Sequence, residues 1–204
     1  MSRVSTYQLI KHVPMKGLHQ KNTCIVDHDN KNTFIAISKN ASTSLRGSMK
    51  KMEVITEYNN FDGYETIAIL RDPVDRFLSA YEESFYKRST APSNINRAGS
   101  ITTQMEIALD ELMKGNYFDL HLMPQIWFIT DVNGNLLPIT KFIDFSNLKS
   151  ELKEKCNLTM VHSQTTKSSH KSKLKNALNK DIIDKINDIY YLDNIIIQTL
   201  KLTK

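Results

Sequence analysis

Phe34-Ile35-Ala36-Ile37-Ser38-Lys39-Asn40-Ala41-Ser42-Thr43-Ser44-Leu45 decides the fold. Its first four residues are continuously apolar, as in a central strand buried on both faces. The run then breaks into a polar turn. Helical spacing follows at Leu45, Met49 and Met52, with Ser42, Thr43 and Ser44 as N-cap residues. The segment therefore reads as strand, polar turn, helix.

A second unit of the same kind lies downstream. Thr66-Ile67-Ala68-Ile69-Leu70 is another apolar strand, and it stops at Arg71-Asp72-Pro73. Proline is favoured in the first turn of a helix, and Asp72 is its cap. Val74, Phe77, Leu78, Tyr81 and Phe85 then fall on one helix face. Two such units imply an α/β fold with a parallel central sheet, in which ligands bind beyond the carboxyl ends of the strands.

Around these units the pattern is coarser. Residues 1–22 are polar and irregular. Thr23 to Val26 and Thr33 to Ile37 read as strands joined by a hairpin turn over 27–32, and Val54 to Thr56 as a short strand. Residues 88–100 read as a loop, and Ile101 to Met113 as a helix closed by Gly115. Ile126–Thr130 and Leu136–Ile143 read as strands flanking a turn at 131–135. A helix is predicted to start at Ser146, then a Ser/Thr/His/Lys-rich loop over 159–171, then one long helix from Asp181 to Leu200.

The chain of 204 residues, 40% apolar and 24% charged, suits one globular domain spanning 1–204. No apolar run reaches the roughly 20 residues of a membrane span, and Met1 to Lys21 has no signal-peptide core. A cytoplasmic protein is the expectation. Cys24 and Cys156, the only cysteines, are expected to be free thiols. The net charge is +5, yet Lys149 to Lys180 alone holds eight lysines against two glutamates. Such a stretch suits an anionic partner or a solvated lysine-rich face equally well.

The two polar turns hold the chemistry. A turn between a strand and a helix start presents outward N–H groups and a favourable dipole to an anion. Lys39 adds a cation, and Ser42, Thr43 and Ser44 add hydroxyl donors. The order is not that of a Walker A loop, which needs glycines and a late lysine. On this segment alone, a capped helix beside a surface lysine fits as well. Arg71 is a bidentate phosphate ligand by type, and Ser79 follows two helical turns later. An ion pair from Arg71 to Asp72 or Asp75 is the structural alternative. Two anion turns at two strand ends suit a nucleotide with two separated phosphates.

At these residues the chain resembles the sulfotransferases that use 3′-phosphoadenosine 5′-phosphosulfate (PAPS). Ser38 to Leu45 is similar to their 5′-phosphosulfate loop, P-K-x-A/G-S/T-T-S-L, and Arg71 to Tyr81 to their 3′-phosphate motif, R-D-P-x-x-R-x-x-S-x-Y. The likeness is to carbohydrate sulfotransferases of the family-2 type. Asp119-Leu120-His121-Leu122-Met123-Pro124-Gln125 resembles their H-x-x-P-Q segment, Phe142 to Phe145 their F-I-x-F stretch, and Ile189 to Asp193 their I-Y-x-x-D helix. Ser38 departs from the usual proline, Asn40 from a Thr, Val or Ala-like residue, and the glutamate after the F-I-x-F stretch has no clear counterpart.

The resemblance implies a three-layer fold like that of P-loop NTPases, with a mainly parallel sheet. It implies PAPS as donor, no metal, and a hydroxyl acceptor, expected to be a carbohydrate. Lys39 is then catalytic, stabilising the leaving phosphate. Lys39, Asn40, Ala41, Ser42, Thr43 and Ser44 hold the 5′ end of the donor, and Arg71 and Ser79 its 3′-phosphate. His121 is the first candidate for the base, since imidazole titrates near neutral pH. It competes with a structural role near Pro124 and with Glu82 and Glu83, which otherwise read as a solvated helix face. Lys167 and Lys171 are candidates for a loop over the nucleotide. His162 and His170 find no third metal ligand at a fitting spacing. The alternatives are a kinase-like nucleotide-binding protein, a nucleic-acid-binding module on the 149–180 lysines, and a nucleotide binder without chemistry. The second lacks interleaved aromatics, and no nucleic-acid partner is expected.

Overall fold

A computed structural model of the protein describes residues 22–88, 95, 99–131, 134–161 and 169–202. The irregular segment before Asn22, most of the 88–100 loop, and the part of the 159–171 loop holding His162 and Lys167 lie outside these residues. The described chain forms two compact units, one from residues 22–71 and 125–161, the other from 72–124 and 169–199.

The first unit is a sheet with helices packed on it. Strands β1 (Cys24–Asp27), β2 (Asn32–Ile35), β3 (Met52–Ile55), β4 (Glu65–Leu70) and β5 (Lys141–Asp144) lie in the order β3-β1-β2-β4-β5. β2 and β4 run parallel, as their apolar runs predict, and β5 runs parallel to β4 over Lys141–Asp144 instead of forming the Leu136–Ile143 hairpin arm that the sequence suggests, whereas β1 pairs antiparallel with both β2 and β3. The sheet is thus mixed rather than mainly parallel. The cause is local: the polar insert after Asp27 closes a tight hairpin, and a tight hairpin joins antiparallel strands only. Asp27 fixes that turn by accepting from the Asp29 amide and the Asn30 side chain.

Ile25, Phe34, Ile67, Ile69 and Ile143 form one apolar face of this sheet. Leu45, from α1 (Ser42–Arg46), and Leu152 and Cys156, from α4 (Leu148–Cys156), close over it. The intervening strand residues Cys24, Val26, Ile35, Ala68 and Leu70 are buried as well. Burial on both faces explains why the strands are continuously apolar.

Three expected elements come out differently. The helix after the first turn ends at Arg46 instead of reaching Met52, because Met52 is drawn into β3 opposite Asp27. Ile126–Thr130 is not a strand: Gln125–Ile129 is a tight 3₁₀ turn, and only Thr130 and Leu136 form a bridge. Short apolar runs do not distinguish a strand from a buried helical turn by periodicity. The C-terminal helix is broken at Tyr190 into α6 (Lys180–Ile189) and α7 (Tyr191–Leu202). Tyr190 leaves helical geometry and donates its hydroxyl to the Leu122 carbonyl.

The second unit is helical. α2 (Pro73–Tyr81) begins with Asp72 accepting from the Asp75 amide, and continues as a π-helical turn over Glu82–Lys87. α3 (Ile101–Lys114) is capped by Ser100 and ends on Gly115 in the left-handed region, φ 74°. α2 packs against both α5 (Ser169–Asn176) and α6, and α3 packs against α6. Phe77, Tyr81, Met105, Leu109, Ile182 and Ile186 fill the interior.

Candidate active site

In the sheet unit, the chain leaves β2 and turns sharply, the Asn40 amide donating to the Ile37 carbonyl at 3.2 Å. Lys39 and Ala41 both take left-handed backbone, φ 68° and 67°, without a glycine to relieve them. Such residues cost on the order of 1 kcal/mol each and gather at functional sites. Ala41, not one of the three hydroxyl residues, is the N-cap, and among the described residues no side chain caps α1. Its first N–H groups are thus left to other acceptors. Ser42 donates to the Ile37 carbonyl at 3.0 Å, Thr43 is exposed, and Ser44 is half-buried.

Arg71 lies at the end of β4, and it is tied to this loop. Its Nη1 donates to the Lys39 carbonyl at 3.1 Å. Its guanidinium lies over the Phe145 ring, 4.5 Å from the centroid, an arrangement that orients the planar group by stacking. Phe145 stands just after β5, so the F-I-x-F stretch provides the platform under Arg71. In the helical unit, Asp72 caps α2, and Asp75 meets Lys175 at 3.6 Å.

Gln125 joins the two turns. Its Nε2 donates to the Arg71 carbonyl at 2.8 Å, and its Oε1 accepts from the Arg71 amide at 2.9 Å. The same Oε1 accepts from Asn40 Nδ2 at 2.6 Å, and that nitrogen also donates to the Ile69 carbonyl at 2.7 Å. Sequence reasoning gave Gln125 and Phe145 no role beyond membership in motifs. The sequence offers Asn40 to the donor through its backbone amide and gives its side chain no role; that side chain is buried and faces inward.

The other expected residues stand in the helical unit. Ser79 is half-buried on α2. His121 follows α3 on a tight turn, where Asp119 Oδ1 accepts from the His121 amide and meets its Nδ1, both at 2.8 Å. Asp119 also receives the Tyr117 hydroxyl at 3.4 Å. With Asp119 ionised, Nδ1 carries the proton, so Nε2 keeps the lone pair a base needs. Asp119 was missed as a partner, although D-x-H is legible as a spacing.

Neither Glu82 nor Glu83 is a solvated helix face. Glu82 is buried, and Glu83 is committed to Lys87 at 3.4 Å and Arg88 at 3.0 Å. His170 stacks on Tyr86 with ring centroids 4.6 Å apart, and Lys171 is exposed on α5. Arg76, the second arginine of R-D-P-x-x-R, is buried with Tyr190 and Asp193 acting on its charge; burial itself lowers its pKa. This gives the I-Y-x-x-D helix a physical role inside the unit. Both cysteines are free and buried, and no helix of the described residues is long and apolar enough to cross a membrane.

The model of the family described as "Sulfotransferase family" matches residues 17–196. No curated protein and no solved structure matches the chain.

Proposed function

The chain belongs to the sulfotransferase family, and from that premise we propose that it transfers a sulfuryl group from PAPS to a hydroxyl, with a carbohydrate as acceptor. The observation that carries this reading is the joined pair of anion turns: a strained, uncapped Lys39–Ser44 loop bonded to Arg71 through the Lys39 carbonyl. A nucleotide with phosphates at both ends of its ribose matches two such turns. The carbohydrate class rests on the H-x-x-P-Q and I-Y-x-x-D segments. The family match spans residues of both units, which supports reading 1–204 as one sulfotransferase domain.

PAPS, when bound, supplies the sulfuryl group and departs as 3′-phosphoadenosine 5′-phosphate. Lys39 neutralises the charge that grows on the leaving phosphate oxygen as the S–O bond breaks. The amides from Ala41 to Ser44, with the hydroxyls of Thr43 and Ser44, hold the 5′-phosphate, while the Asn40 amide and the Ser42 hydroxyl brace the loop on the Ile37 carbonyl. Arg71 and Ser79 hold the 3′-phosphate. His121 takes the acceptor proton on Nε2, with Asp119 fixing its ring. Lys39 and Arg71 provide the cationic charge that kinases draw partly from Mg²⁺, so turnover persists in a chelator.

The test is calorimetric titration with 3′-phosphoadenosine 5′-phosphate beside ATP, repeated on a Lys39→Ala, Arg71→Ala double variant. Binding of the 3′-phosphorylated nucleotide that the variant loses, with none for ATP, supports the donor assignment. A preference for ATP with Mg²⁺ overturns it in favour of a kinase-like protein.

A further inference from the structure

We propose that Asn40 is a positioning residue which, through Gln125, makes the two anion turns bind as one, so that a phosphate held at either turn strengthens binding at the other. This rests on the donor reading above. The side chain of Asn40 is only 2% exposed and that of Gln125 only 1%, so neither is available as a ligand contact. Asn40 Nδ2 instead holds the Ile69 carbonyl and Gln125 Oε1, while Gln125 grips the Arg71 peptide through both its amide and its carbonyl. A continuous path of buried and half-buried bonds therefore runs from the 5′ loop to the backbone of the arginine. The bond from Arg71 Nη1 to the Lys39 carbonyl closes a second path beside it.

Two further observations point the same way. Asn40 lies between the two left-handed residues, Lys39 and Ala41. Strained backbone persists only where its surroundings over-determine it, and the two Nδ2 bonds supply that. Asn40 Oδ1, in contrast, is buried with no hydrogen-bond partner among the described residues. A buried amide with one end unsatisfied is costly, and a Thr, Val or Ala-like residue there would avoid that cost. What this chain gains from Asn40 is the link to Gln125 and β4. When Arg71 is fixed by an anion, the link fixes the Lys39 loop, and coupling between two sites is reciprocal.

The experiment measures affinities of adenosine, adenosine 5′-monophosphate, adenosine 3′-monophosphate and adenosine 3′,5′-bisphosphate for the full chain, with Asn40→Thr and Asn40→Ala alongside. The ratio of the two phosphate effects gives a coupling factor. It is expected to be at least about fivefold in the native chain, the lower end of known couplings, and to fall toward one in the variants. A purely structural Asn40 weakens all four ligands together and leaves the ratio unchanged; that result overturns the proposal. So does a native factor of one. Failure of the bisphosphate to bind the native chain removes the donor reading and this proposal together, whereas binding with an unchanged ratio removes only this proposal. Amide hydrogen exchange on the native chain needs no variant: saturating adenosine 3′-monophosphate is expected to protect residues 38–45. Absence of that protection overturns the coupling.

Discussion

At the scale of single residues, Lys39 carries most of the proposed chemistry. Removing one preorganised charge-stabilising group costs enzymes on the order of 10²–10³ in kcat. Lys39→Ala is expected to lose turnover in that range while the circular dichroism spectrum is retained, measured by steady-state sulfuryl transfer. His121 and Asp119 form one dyad at 2.8 Å, and residues that act as a unit are not additive. His121→Gln is expected to lower kcat by roughly 10²–10⁴, the usual worth of a general base. Asp119→Asn lowers it less, and in the His121→Gln background adds nothing. A full extra loss in the double variant would show that Asp119 works independently of the histidine. The types of these residues are legible from sequence, because Lys, Arg and His beside strand ends announce anion and proton chemistry. The direction of a side chain is not, and Asn40 shows it: the sequence offers only its backbone amide to the donor, and its side chain is an internal strut in the fold.

At the scale of elements, the caps and the buried thiols give measurable consequences. Asp72 spends its carboxylate on the Asp75 amide at 2.9 Å, starting α2. Asp72→Ala is expected to cost about 1 kcal/mol of stability, read from urea midpoints. Burial pushes the Cys24 thiol of β1 up to about 12 and the Cys156 thiol of α4 up to about 11, both from an ordinary 9.0. Burial also raises Tyr81 and Tyr190. Each folded-state pKa lies above its unfolded value, so each contribution to stability is complete below the unfolded pKa and is lost as pH climbs through the folded one. Unfolding free energy is therefore expected to fall on the alkaline side of about pH 9, and Cys24→Ala to flatten that fall, measured by denaturant unfolding across the range. An unchanged slope in Cys24→Ala would remove the thiol from the account. The elements themselves were legible where periodicity was long or capping chemistry was clear, as in α2 and α3. The Gln125–Ile129 turn and the break at Tyr190 were not, since both are set by hydrogen bonds to residues far away in sequence.

At the scale of the whole molecule, each unit is organised around polar groups that its apolar core encloses. In the helical unit, Arg76 is buried with Asp193 and Tyr190 acting on its charge. Removing one partner of a buried charge pair costs about 3–5 kcal/mol, whereas replacing both by apolar groups of similar volume is often nearly neutral. Arg76→Met alone is expected to destabilise by that amount, and Arg76→Met with Asp193→Leu by much less, measured by thermal and urea unfolding. Equal losses in the single and double variants would dissolve the pairing. In the sheet unit, the Gln125 link plays the corresponding part, bonding the Asn40 side chain to the Arg71 amide. The α/β class, the two strand-to-helix turns and the residue types they carry are already legible along the chain. Those follow from local rules: apolar runs for buried strands, caps and proline for helix starts, cations and amides for anions. Packing settled what those rules leave open: β3 lies antiparallel beside β1, Phe145 supports Arg71, and Asn40 and Gln125 join the turns. The reason is physical: a buried polar side chain must find its partner wherever packing brings one, and in this chain Asn40 and Gln125 meet across 85 residues of sequence.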